Sequence, residues 1–506
     1  MRRPYVAPCR FRVAPTLPIK RNFMKILHVA SEVTPFAKTG GLADVVGSLP
    51  VALQHLGHEV RIITPCHPSV EAAGMSIRKG RKNIEILLDG VPKRGGLRVG
   101  DLAGVPVYFI ENKEYFSREP LYGTGCGEYP DNPSRFAFFC RTALDLCKRL
   151  DFRPDIIHCH DWQSALIPLL LRTELRNDLF YGRAAIVYTI HNLAYQGLFP
   201  KDSLTRMGLD ESCFGVDGVE YYGSVNLMKG GILAADLVTT VSPTYCREIL
   251  SQEQGCGLDG VLRRRERDLL GIINGIDTVR WNPETDQNLP KNYSFASLTG
   301  KRVVKRELRS ELGLEQREAP LLGMVSRIVD QKGFDLLVEL LPRLEAADLD
   351  LVVLGSGDER YLRALTEAGK RCGRIKLCTG SFNDPLAHRI YAGSDIFLMP
   401  SLYEPCGLGQ LIALRYGAVP VVRHTGGLAD TVIDVEQRGG AGFVFEEYSA
   451  QPFWGAIQRA LELYGNPEKW KKLVRRGMSL DVSWDASARE YEALYMGAQS
   501  HRRREP

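Results

Sequence analysis

Two doubly wound α/β domains facing each other across a deep cleft is the fold class this sequence predicts, and three observations carry it. At 506 residues the chain exceeds what one hydrophobic core organises. From Lys25 onward, short apolar runs alternate with amphipathic stretches, the order of a parallel sheet covered by helices on both faces. The rhythm restarts after "NGID" at residues 274–277, and the hexapeptide "TGGLAD" occurs once in each half, at 39–44 and at 425–430.

In chain order, "KILHVA" reads as the first strand, residues 41–57 as a helix containing Pro50, and "EVRIITP" as the next strand. "DIIHCH" and "AIVYTI" repeat the strand signature with the helix "QSALIPLLLRTE" between them, and "LVTTVS" closes the half. The second half offers strands "LLGMVS", "DLVVLG", "IKLCTG", "DIFLMP" and "AVPVVR", with helices at 333–344 and 358–372 among them. The basic, polar stretch 263–268 reads as a hinge, which divides the chain into domains 24–268 and 269–480. A closing helix at 486–495, within a segment 481–506, is expected to pack back on the first domain. Residues 1–23 carry six basic residues, four prolines and no acidic residue or serine. They fit neither a secretory signal nor the fold that follows, and read as a disordered or mis-called extension.

Composition removes several function classes. The net charge of +5 is small and dispersed, so no nucleic-acid partner is expected. No apolar run approaches a membrane span. The 12 cysteines, Cys140, Cys147, Cys246 and Cys378 among them, form no CxxC pair and read as reduced thiols of a cytoplasmic protein. His158, Cys159, His160 and Asp161 have metal-ligand chemistry, but neighbours on a strand point to opposite faces, so no metal site is expected. Walker A, HExxH and GxSxG motifs are all missing from the chain.

The remaining motifs sit at strand-to-helix junctions, where open α/β sheets bind ligands. In "KTGGLADVV", Gly40 and Gly41 permit close backbone approach at a helix start, and Lys38 adds a cation; an anion site and an ordinary glycine turn both fit. Asp44 either complements the helix dipole or meets a sugar hydroxyl. In "SRIVDQKGFD", Arg327 and Lys332 can converge on one diphosphate, or belong to a charged surface loop. "PSLYEPCGLGQ" places Glu404 beside the backbone of Cys406, Gly407, Leu408 and Gly409, a carboxylate next to an anion site. That pairing suits a sugar held beside a phosphate. "YTIHNLAYQG" ends a strand with His191 and Asn192, and the second "TGGLAD" offers Thr425, Gly426 and Gly427 as a further helix-start site.

Taken together, "KTGGLADVVGSLP", "HDWQSAL", "TIHNLAYQG", "NGID", "SRIVDQKG", "PSLYEPCGLGQ" and "HTGGLADTV" resemble bacterial glycogen synthase and plant starch synthase, over essentially residues 24–495. The resemblance implies the GT-B architecture of two Rossmann-like domains. It also implies retaining glucosyl transfer from ADP-glucose, a co-substrate, to the non-reducing end of an α-1,4-glucan, with no cofactor and no metal. By the same resemblance Lys38 touches the donor phosphates and Asp44 lines the donor site, while Asp161 and His191 contact the glucosyl group. Arg327 and Lys332 stabilise the ADP leaving group, and Glu404 binds glucose hydroxyls beside the anomeric carbon. The bacterial enzymes often have a tyrosine stacking on adenine where this chain has Phe382, which keeps a ring worth about 1–3 kcal/mol in stacking. Gly409 replaces a common threonine, and Ile412 stands where many related GT-B enzymes hold ribose with glutamate, as is usual in this subfamily. The alternatives are a GT-B enzyme using UDP-glucose or another acceptor, a silent glucan-binding protein, and a nicotinamide oxidoreductase. For the last, "GSGDER" at Gly355 is the best fingerprint, although Arg360 replaces its third glycine.

Overall fold

The structure, a computed structural model, describes residues 23–80, 83–124, 127–380 and 383–502. The extension up to residue 22 and Phe382 lie outside the described residues.

The first sheet has ten strands. Its parallel part runs, in space, Leu269–Gly271, Leu237–Thr240, Ala185–Ile190, Ile156–His160, Lys25–Val29, Glu59–Pro65 and Val105–Glu111. Both Ile156–His160 and Ala185–Ile190 are buried along their whole length, as strands covered on two faces must be. An antiparallel edge follows, with Val91–Leu102 paired to Val105–Glu111 and with Arg78–Lys79 and Ile84–Leu88 paired to Val91–Leu102. The sequence reading assigned no strands there, because "VPKRGGLRVGDL" is half-exposed and polar and lacks an apolar run.

The second sheet is wholly parallel, in the order Ile375–Cys378, Asp350–Leu354, Leu321–Val325, Ile396–Met399, Val419–Arg423, Phe443–Phe445. In each sheet the chain lays strands to one side of its first strand and then reverses to the other. The reversal lies between Lys25–Val29 and Ile156–His160 in the first sheet, and between Leu321–Val325 and Ile396–Met399 in the second. Side-chain-bearing loops from the two adjoining strands diverge at such a point and leave a crevice at their carboxyl ends.

Three sequence expectations shift. The helix expected at 333–344 is two, Phe334–Glu339 and Leu341–Ala346, because Pro342 enters at the start of the second and has no N–H to continue the first. Leu269–Gly271 pairs with Leu237–Thr240, so the first sheet extends past residue 268. The segment 263–268 is pinned as well: the Arg265 guanidinium donates to the carbonyls of Ile232, Leu233, Ala235 and Asp236. The chain crosses between sheets after Gly271, and a second crossing returns beside it. Ile276 N–H donates to the Val482 carbonyl at 2.8 Å, and a Cβ on Gly275 would sit 2.5 Å from Ser483 backbone atoms. Only glycine lets the two crossings lie this close.

The returning chain forms the helix Trp484–Arg502. Its Trp484, Ala488, Tyr491, Tyr495 and Ala498 recur at helical spacing and are buried with Leu42, Val45, Val46 and Leu49 of the helix Gly41–His55. Among the described residues no helix is long and apolar enough to cross a membrane.

Candidate active site

A cavity of about 870 Å³ opens between the two reversal points. Lys38, Gly40, Gly41, Asp44, Asp161, His191 and Asn192 line it from the first domain, and Arg327, Lys332, Glu404 and the backbone turn 406–409 line it from the second.

On the second wall, the loop after Leu321–Val325 carries Arg327 and Lys332, and the loop after Ile396–Met399 carries Glu404. Gly333 brings them together. It sits at φ +74, and a Cβ there would lie 2.1 Å from the Pro400 carbonyl oxygen, so the two loops touch only because that atom is missing. Lys332 Nζ donates to Glu404 Oε2 at 2.6 Å, and Ser401 Oγ donates to the same oxygen at 3.0 Å. Glu404 is buried. Arg327 extends across the cleft, donating to Tyr195 Oη of the first domain at 3.2 Å and to Gln331 Oε1 at 3.1 Å. Burial pushes the Cys406 thiol up to about 12, so it stays protonated near neutral pH.

On the first wall, Gly40 is extended and caps the helix Gly41–His55, and its backbone N–H is among the donors to the Glu32 carboxylate. A Cβ on Gly40 or Gly41 would meet nothing within 4 Å, so packing does not require glycine at either position. Lys38 Nζ donates to Asp44 Oδ1 at 2.7 Å. Glu32 anchors the loop from beneath: it accepts from Thr39 N–H, from Thr39 Oγ1 at 2.6 Å and from Tyr122 Oη at 2.5 Å. Burial raises the Glu32 carboxyl and these donors oppose the rise. Glu32 and Tyr122 were not foreseen. "ASEVTP" is irregular in pattern, and Tyr122 sits some 90 residues away in sequence, so no local signal joins them.

Asp161 follows its strand with φ +54, an uncommon conformation for a non-glycine residue. Its Oδ1 accepts from His191 N–H at 2.7 Å, which ties the ends of two neighbouring strands together. Burial drives the carboxyl up to about 8, against the backbone N–H groups of His191 and Asn192. Burial also holds His191 near 3, so its ring is neutral.

Thr425, Gly426 and Gly427 do not line the cavity. Gly426 N–H and Thr425 Oγ1 donate to Glu248 of the first domain, and Gly427 N–H donates to the Glu404 carbonyl at 3.0 Å. The second "TGGLAD" therefore backs the Glu404 turn from behind, and its helix start is filled by a protein carboxylate. His158 and His160 do share a sheet face, and His28 from the adjoining strand joins them within 4.8 Å. Both His158 nitrogens are hydrogen-bonded, to Tyr495 Oη at 2.7 Å and to Thr189 Oγ1 at 2.5 Å. The "GSGDER" loop follows Asp350–Leu354, away from the reversal point, and Asp358 caps the helix Glu359–Cys372 there through Arg360 N–H.

Two doubly wound domains that place cations and a carboxylate in a shared cleft define a GT-B glycosyltransferase. Comparison with known proteins agrees. Residues 25–264 match the family model "Starch synthase catalytic domain", and residues 305–477 match "Glycosyl transferases group 1". A glycogen synthase of Geotalea uraniireducens is 60% identical over 477 residues, covering 93% of this chain and 98% of that protein. Glycogen synthase 2 of Geobacter sulfurreducens is 56% identical over 484 residues, covering 95% and 100%. Among solved structures, the catalytic domain of starch synthase IV from Arabidopsis thaliana, bound to ADP and acarbose, superposes with a TM-score of 0.89. It is 37% identical and covers 95% of this chain and all of that one. The chain belongs to the glycogen synthase and starch synthase family of glycosyltransferases.

Proposed function

We propose that the enzyme transfers glucose from ADP-glucose to the non-reducing 4-hydroxyl of an α-1,4-glucan, with retention and without a metal or cofactor. The observation that carries the reading is the Lys332–Glu404 contact at the reversal point, set in one cavity with Arg327 and, on the facing wall, Lys38. As the bond from the anomeric carbon to the phosphate oxygen breaks, its electron pair stays on ADP, and Arg327 and Lys332 meet the growing charge. Two positive side chains supply there what a divalent ion would otherwise supply. In this reading Glu404 holds the sugar at the same point, and Asp161, His191 and Asn192, which line the cavity from the first domain, bound the glucosyl group.

Retention fits a front-face route: the acceptor oxygen joins the anomeric carbon on the face that ADP leaves, and its proton passes to the departing phosphate oxygen. The ADP and acarbose seen in the starch synthase IV structure support the choice of nucleotide and of a glucan-like acceptor. Free cysteines throughout the described residues support a reducing, cytoplasmic setting.

The test is ADP release from ADP-glucose with and without glycogen, for the native enzyme and for Lys332→Ala. Release should depend on glycogen and fall about 100-fold or more in the variant, the scale of losing one charge-stabilising donor. A strong preference for UDP-glucose in competition would overturn the choice of donor. A trapped covalent glucosyl-enzyme would overturn the front-face route.

A further inference from the structure

Beneath His191 lies a row of buried imidazoles that the transfer chemistry leaves unused. His160 Nδ1 lies 3.0 Å from His191 Nε2, and His160 Nε2 lies 3.1 Å from His28 Nδ1. All three are buried; His28 and His160 lie on adjoining parallel strands whose register puts His28 opposite His158 and His160 two residues further on the same face, and His191 follows the end of the strand Ala185–Ile190. The row ends at two nitrogens. His28 Nε2 is buried with no partner among the described residues. At the other end His191, whose Nε2 meets His160, is a residue that lines the cavity, and its second ring nitrogen is Nδ1.

A neutral imidazole has one N–H and one lone pair, so each ring in such a row must donate at one nitrogen and accept at the other. Two directions satisfy both contacts. In one, His28 donates to His160 and His160 to His191, which leaves a bare lone pair at His28 Nε2 and an N–H at His191 Nδ1. In the other every proton is reversed, and His28 Nε2 becomes an N–H buried without an acceptor. Buried donors without acceptors are rarer than bare acceptors, so the first direction prevails. Burial that holds His28 and His191 near 3 and His160 well below its ordinary value keeps the rings neutral, as the row requires.

We infer that His28 and His160 are positioning residues that fix His191 as a neutral imidazole protonated at Nδ1, so that it presents a hydrogen-bond donor, and never a lone pair or a charge, to the sugar in the cleft. The inference rests on the proposed glucosyl site for its consequence and not for its geometry. A donor there can hold a hydroxyl oxygen. Neutrality leaves the phosphate to the cations of the cavity, Arg327, Lys332 and Lys38.

Nitrogen-15 NMR of histidine-labelled native enzyme at neutral pH reads the tautomer directly, with no substitution that could disturb folding. The expected spectrum shows the His191 ring protonated at Nδ1; protonation at Nε2, or an imidazolium, overturns the inference. For the consequence, His28→Leu should mix the His191 tautomers and lower kcat with ADP-glucose and glycogen about tenfold. That is the lower end of what outer partners of a functional imidazole contribute. The KM for ADP-glucose should stay within about twofold, as expected when ground-state binding is intact. His28→Asn, whose amide N–H takes the place of Nδ1, should recover most of the loss. An unchanged kcat and spectrum in His28→Leu, or no recovery in His28→Asn, overturns it. Native enzyme that releases no ADP would refute the proposed transfer and leave the tautomer measurement standing.

Discussion

The two copies of "TGGLAD" share six residues, a place at the start of a helix and a glutamate that takes the threonine hydroxyl, Glu32 for Thr39 and Glu248 for Thr425, yet their surroundings differ. The first opens on the cleft: Gly40 and Gly41 have nothing within 4 Å of a would-be Cβ, and Asp44 pairs with the half-exposed Lys38. The second is sealed. Its Gly426 N–H is given to Glu248, its Gly427 N–H to the Glu404 carbonyl, and its Asp430 accepts Thr244 N–H and Oγ1 from the first domain at 2.8 and 2.7 Å. Because Glu248 ends the helix Pro243–Glu248 and Thr244 lies in its first turn, each domain caps a helix of the other. A shared local sequence made the same turn twice, and the neighbours decided that one would line the cleft and the other would join the domains.

Glycine substitution should break the comparison most sharply. A Cβ on Gly427 would lie 2.1 Å from the Cys406 carbonyl oxygen and 2.4 Å from its Cα, backbone that cannot yield. Gly427→Ala should therefore lose about 3 kcal/mol in denaturant unfolding, at the upper end of overpacking, and lose activity by shifting Glu404. Gly41→Ala should unfold like the native enzyme and raise the KM for ADP-glucose; equal unfolding midpoints for the two variants would contradict the contrast.

The aspartates should differ next. Asp430→Ala removes a carboxylate that accepts two hydrogen bonds across the domain boundary, and should cost about 2 kcal/mol. Asp44→Ala breaks an exposed pair with Lys38 and should change stability by less than about 0.5 kcal/mol. Matching losses would mean that the two sites are alike in energy despite their surroundings.

A smaller effect separates the halves by pH. Burial holds His28 and His191 near 3 and His67 near 4, against an ordinary value of 6.5. Between those limits the unfolded chain binds more protons than the folded one, so stability rises with pH across the window and is lost as pH falls through it. All three lie in the first half. Its unfolding, followed by the tryptophan Trp162, should show a slope of about 1 kcal/mol or more per pH unit between roughly pH 4 and 6. Asp161, which burial holds up at about 8, contributes the opposite slope over the same window, so the net rise is what the imidazoles leave after it. Stability that falls as pH rises would show that these rings are not held neutral.

Much of the architecture was legible. Parallel strands buried on both faces are apolar nearly throughout, and "KILHVA", "AIVYTI" and "DLVVLG" announce themselves because no solvent-facing position interrupts them. The antiparallel edge at 78–111 was missed for the converse reason. Lys38, Asp161, His191, Arg327, Lys332 and Glu404 could be located because strand ends in such sheets open on a crevice, and all of them do line one cavity. Glu32, Tyr122 and His28 could not be, since each acts through a partner about 90 or more residues away, Thr39 apart.

By itself, then, the sequence determined the order of strands and helices, the glycine-bearing turns and the charges those turns carry, because propensity, apolar period and backbone freedom act over a few residues. Only the tertiary structure decided which "TGGLAD" faces the cleft, that the chain crosses twice between the domains side by side, and that three histidines from separate strands line up under the site. These depend on register between strands and on how closely two backbones can approach, and such distances are set by the packed whole.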